Sequence, residues 1–158
     1  MRPLFTLILM IVLSTPTLAG WQFSHWGMTP TEFENAAKAE GVPLARQINS
    51  SDTSKEVKFT APYQTDKFNF EASFTFTDRD QPRLNNVQLK LTDLSQCSAL
   101  ISALETLYGK PVKAFTAKGI VLKEWHDRKL SNIVTILAGE GKACSIAYTD
   151  LQEKTKGL

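Results

Sequence analysis

Few side chains in this chain are equipped for chemistry. There are two histidines, His25 and His126, and two cysteines, Cys97 and Cys144, in 158 residues. A histidine-based hydrolase needs a nucleophile and an orienting acid close to the ring. His126 has Asp127 beside it and Ser131 shortly beyond, and His25 follows Ser24. The His126 group falls in an expected turn, where solvated loop residues are the simpler reading, and Ser24-His25 meets the same objection. Glu71 and Glu124 each lie on an expected strand. They would act as an acid pair only if the fold lined one cleft with both. The alternative is that they are ordinary solvated strand residues.

Metal and phosphate chemistry find little support. Zinc takes three or four ligands at constrained spacing, and a disulfide accounts for both cysteines with fewer assumptions. Asp78, Asp80 and Glu71 do not follow a calcium-loop pattern. Gly139-x-Gly141 lacks the lysine and the Ser/Thr of a phosphate loop. No cofactor and no metal are expected, and enzyme activity is left open.

The tryptophans carry the binding expectation. Interface hot spots favour tryptophan, so Trp125, Trp21 and Trp26 are candidate partner-binding residues, with Trp125, next to a turn, expected to be exposed. The competing reading is that two of the three are core anchors.

The elements that must position these residues begin after a leader. MRPLFTLILMIVLSTPTLAG has a basic start, an apolar run from Leu4 to Leu13 and a small-residue processing region ending at Ala19. That is the pattern of a secretory signal peptide, too short in its apolar core to span a bilayer comfortably. Residues 1–19 are therefore expected to be removed, leaving 20–158 as one domain or as two small halves, 20–92 and 93–158. After removal of Arg2, basic and acidic side chains nearly balance. Such a chain has no electrostatic reason to bind nucleic acid. In an exported chain an even cysteine count favours a bond between Cys97 and Cys144.

A first helix is expected from Pro30 to Ala39 or Glu40. Thr29 and Glu32 form a capping box, Pro30 sits at the first helical position, and Met28 can staple to Phe33. The stretch after Gly41, through Ser51 and Asp52, reads as turn and loop, followed by a short strand over Val57–Ala61. Phe68, Phe70, Ala72, Phe74 and Phe76 alternate with polar residues, the mark of a strand with one buried face. Asp78–Pro82 reads as a hairpin connection, and Val87, Leu89 and Leu91 repeat the alternation. A second helix has Asp93 as its cap, Cys97, Leu100, Ile101, Leu104, Leu107 and Tyr108 at helical spacing, and Gly109 as its end. Three strands follow, over Ile120–Trp125, Asn132–Ala138 and Ala143–Thr149. The last turns Cys144 inward toward the second helix.

These elements amount to an α+β expectation: two helices packed on an antiparallel sheet, with a degenerate tandem repeat of helix plus strands left open. Trp26-Gly27-Met28-Thr29 with Glu32 resembles the helix opening of small exported proteins that include the outer-membrane-assembly lipoprotein BamE and the beta-lactamase inhibitory protein. Leu107-Tyr108-Gly109-Lys110-Pro111 is similar to a helix ending in that group. About a dozen residues carry the resemblance. The lipidated cysteine of the BamE-like members is missing at the processing site. The resemblance implies a two-layer α+β fold, binding through a sheet face, a Gram-negative periplasmic location, and no catalytic residues. The functional expectation is an exported, non-enzymatic protein that binds another protein or an envelope component. The alternatives are a small-ligand carrier and a hydrolase with dispersed acids.

Overall fold

A computed structural model describes residues 20–51, 54–77, 80–139 and 141–152. The expected signal peptide, part of the Asp78–Pro82 connection and the end of the C-terminal tail lie outside the described residues.

A two-strand ladder opens the chain, β1 (Gly20–Trp21) with β2 (Ser24–His25). Helix α1 (Pro30–Ala39) follows, with the expected capping box. The Glu32 amide donates to Thr29 Oγ1 at 3.3 Å, and the Thr29 amide donates to Glu32 Oε2 at 2.8 Å. Two amides that the helix itself leaves unpaired are satisfied in this way. Met28 and Phe33 are both buried, as a staple requires.

Four strands then run as a meander: β3 (Ala45–Ser51), β4 (Ser54–Gln64), β5 (Asn69–Thr77) and β6 (Arg83–Leu91). Phe70, Ala72, Phe74 and Phe76 of β5 face the core together with Val87, Leu89 and Leu91 of β6. The register between these strands shifts at Thr75/Phe76, which inserts Asn85 as an extra residue on β6. A 3₁₀ turn over Leu94–Gln96 leads into α2 (Cys97–Tyr108). Asp93, expected as the cap of the second helix, instead caps this 3₁₀ turn, accepting from the Ser95 amide at 3.0 Å, while Gln96 at the start of α2 makes no side-chain cap bond. Gly109 ends α2 at φ 74°, a left-handed conformation that favours glycine.

The second meander is β7 (Lys113–Ala117), β8 (Ile120–Asp127), β9 (Asn132–Gly139) and β10 (Ala143–Asp150). Strand order across the sheet is β3-β4-β5-β6-β10-β9-β8-β7, antiparallel throughout. The final strands of the two meanders are thus neighbours, with Ile146 of β10 opposite Leu89 of β6. Strands from both 20–92 and 93–158 share one sheet.

This architecture corrects the α+β expectation. The molecule is an eight-stranded antiparallel sheet with two short accessory helices of 10 and 12 residues. The helices do not form a layer of their own. Helix α1 reaches the sheet through Phe33, whose ring lies 4.6 Å from Phe74 and 5.5 Å from Phe59. Helix α2 reaches it through Leu100, Leu104 and the Cys97–Cys144 disulfide, with Cα atoms 5.9 Å apart. The extra strand content comes from Ala45–Ser51, expected as loop, and from Lys113–Ala117, where no strand was expected. The short strand expected over Val57–Ala61 also extends in both directions.

Candidate functional site

A concave surface lies on the helix-bearing face, in a groove of about 680 Å³ between α2 and the first meander. One wall is aromatic: Trp21, Tyr63, Phe68 and Phe70. Trp21 is held there by an edge contact to Tyr63 at 4.9 Å and a tilted contact to Phe74 at 5.5 Å. The short β1–β2 ladder positions this ring, and Ser24 Oγ donates to the Trp21 carbonyl at 2.7 Å.

The other wall is α2. Leu100, Leu104 and Leu107 recur at helical spacing along it. Leu100 and Leu104 are buried, whereas Leu107 is 71% exposed and forms a lip. Leu89 and Ile146 close the groove across the joint between β6 and β10, with Tyr148 beside them. Burial, with Tyr108 and Tyr63 nearby, raises the Tyr148 hydroxyl well above the ordinary tyrosine range. Tyr108 is raised as well, chiefly by burial. Both phenols are therefore neutral at neutral pH and act as hydrogen-bonding groups. Thr65, Asp66 and Lys67 supply a polar rim. The groove is apolar, aromatic and open, with hydroxyls as its interior polar groups.

The structure redistributes the expected binding residues. Trp21 lines the groove and is almost wholly buried. Trp26 is half-buried, and its indole Nε1 donates to Asn132 Oδ1 at 2.9 Å. Trp125 is 2% exposed, so its expected exposure is overturned. Strand β8 continues to Asp127, which places Trp125 inside the strand on its core-facing side. Its Nε1 donates to the Gly109 carbonyl at 2.9 Å. Leu107 and Tyr148 line the groove, and the sequence marks Leu107 only by its helical spacing. The spacing of Leu100, Leu104 and Leu107 was the available signal, but helical spacing does not tell a buried leucine from an exposed one.

The candidate chemistry is taken apart by the fold. Glu71 on β5 and Glu124 on β8 share the face opposite the helices, but they stand four strand steps apart. At roughly 4.8 Å per step the distance is at least about 19 Å, too far for a paired-acid mechanism. Glu124 is buried and engaged by Lys113 Nζ at 3.2 Å and by His126 Nε2 at 3.1 Å. Asp127 Oδ1 accepts from the amides of Lys129 and Leu130, so it orients the turn and not the histidine. His25 Nδ1 lies 3.2 Å from the Trp26 carbonyl. Among the described residues no three His, Cys, Asp or Glu side chains converge to hold a metal.

Comparison of the chain with family models, with curated proteins and with solved structures finds no match.

Proposed function

We propose that this is an exported, non-enzymatic binding protein, and that the groove beside α2 receives an apolar segment of another envelope protein. The observation that carries the reading is the groove's make-up: an aromatic wall facing an exposed leucine, with no acid–base pair inside it among the described residues. Aromatic anchors in a desolvated recess are the usual energetic centre of a protein interface. The groove is open to the surface, which suits a segment laid into it. The signal-like leader and the disulfide support an oxidising, extracytoplasmic location. The resemblance to BamE-like and beta-lactamase-inhibitory proteins is consistent with an accessory role.

A small-ligand carrier is the second reading. The volume favours it, because pockets for small molecules usually occupy roughly 300–1,000 Å³.

The test places a photo-crosslinking residue at Ala103, which lines the groove beside Leu107, and captures partners from envelope extract of the source cells. One protein crosslinked at this position, and lost in a Leu107→Asp variant, supports the binding reading. A co-purifying small molecule seen by native mass spectrometry, displaced by the same substitution, supports the carrier. Turnover of an envelope substrate by the purified chain overturns both.

A further inference from the structure

On the opposite face and at one edge of the sheet lies a second surface unrelated to the groove. Strand β7 is an outer strand: β8 pairs with one side, and among the described residues no strand pairs with the other. Its outward-pointing amides and carbonyls therefore form an open ladder. An apolar row adjoins it. Register places Phe115 of β7, Leu122 of β8 and Leu137 of β9 side by side on the face away from the helices. Phe115 is 57% exposed, and Leu137 and Ile120 are each 45% exposed.

Charge indicates what covers this edge. Residues 110–129 hold six basic side chains and two acids, a balance of +4. Both acids are occupied, Glu124 by Lys113 and His126, and Asp127 by turn amides. Lys110, Lys118, Arg128 and Lys129 have no ion partner among the described residues. They sit toward both ends of β7: Lys118 in the turn after it, and the other three beside its start and the end of β8. A second copy brought to this edge would set one basic segment against another, which disfavours self-pairing.

We infer that β7 is a docking edge for an extended, acid-flanked segment of another polypeptide. The segment adds antiparallel to Lys113–Ala117. Its backbone completes the open ladder, an apolar side chain rests on Phe115 and Leu122, and carboxylates at its two ends meet the basic groups. Addition of a strand to an open sheet edge gives affinity through the backbone and selectivity through alternate side chains. The inference does not depend on the groove.

The test uses the mature, disulfide-bonded chain and two capped seven-residue peptides. Both alternate valine and threonine; one has aspartate at each end, the other lysine. The acidic peptide is expected to bind about tenfold or more tightly than the basic one, with a difference that shrinks as salt rises. Hydrogen exchange at the outward-pointing amides of β7, those not bonded to β8, is expected to slow by about tenfold at saturation. Phe115→Asp and Lys118→Glu should each weaken acidic-peptide binding by about tenfold. Both residues are exposed, and circular dichroism checks that each variant is folded. Equal binding of the two peptides overturns the inference, as does protection at the β3 edge instead. Self-association that protects β7 without peptide would assign the edge to a second copy. Binding to phosphatidylglycerol vesicles with no binding to the acidic peptide would assign it to a lipid surface.

Discussion

The indole N–H of Trp125 donates to the carbonyl of Gly109, the residue that ends α2, at 2.9 Å. A core strand and a helix terminus are thereby joined by one side chain. Tyr108 packs nearby, its ring 6.2 Å from that of Trp125. Replacing Trp125 with alanine leaves a large void under the end of α2 and should cost about 3–5 kcal/mol. Trp125→Phe keeps much of the volume and loses the hydrogen bond, so it should cost less. Urea unfolding followed by circular dichroism measures both, and an unchanged midpoint for Trp125→Ala would contradict the buried placement.

Cys97 and Cys144 close a loop with a sequence separation of 47. Chain-entropy reasoning assigns such a closure about 4 kcal/mol, and removal of native disulfides typically costs about 2–5 kcal/mol. The Cys97→Ser/Cys144→Ser variant should unfold at correspondingly lower urea. Reducing agent should lower the midpoint of the parent chain and leave the variant's unchanged.

Hydrogen bonds from the backbone and side chain of Thr29 hold the Glu32 carboxyl below the usual glutamate value. A depressed folded value means that the stabilisation is present above the unfolded value, near about 4.3, and is lost as pH falls through the folded one. Loosening of α1 at acid pH should therefore be smaller in Glu32→Gln, which is expected to be less stable at neutral pH and to converge with the parent at low pH. Amide exchange of the first turn of α1 across pH 3–6 reads this.

Tyr148 behaves in the opposite sense. Burial raises its hydroxyl, so the neutral form is favoured in the fold. Its contribution is complete below about pH 10, the unfolded value, and is lost as pH rises through the folded one. The parent should lose stability above about pH 10 more steeply than Tyr148→Phe. Urea midpoints from pH 8 to pH 11 test the slope.

Those elements that announce themselves locally were legible in the sequence. Thr29 and Glu32 mark a helix start by chemistry that needs no tertiary partner. The phenylalanines of β5 alternate because one face is buried. The Cys97–Cys144 bond follows from an even cysteine count in an exported chain, and the helix and inward strand positions agree with it. Strand β7 was missed because Lys113, Ala114, Phe115 and Thr116 are all exposed and show no buried face to create a pattern. Strand β3 was missed for a related reason: its Arg46 and Gln47 are exposed, and at the sheet edge no apolar alternation is imposed. Trp125 lies next to a turn in sequence, yet its place on the core-facing side of β8 buries it, and closeness to a turn does not encode that side. The groove draws on β1, β4, β5, β6, β10 and α2, a convergence set by strand order, which local periodicity does not encode.

Strand order also dictates a timetable. Strand β6 is complete at Leu91, while its neighbour β10 does not begin until Ala143. A chain emerging N-terminus first holds the edge of β6 bare, and the thiol of Cys97 unmated, while the whole of α2, β7, β8 and β9 passes. Exposed edges and free thiols in partly made chains invite wrong partners. The closing of the central seam and the oxidation of the sulfur pair thus belong to one event that waits for β10. A truncation that removes β10 should strand both at once, leaving a half-sheet with a reactive thiol.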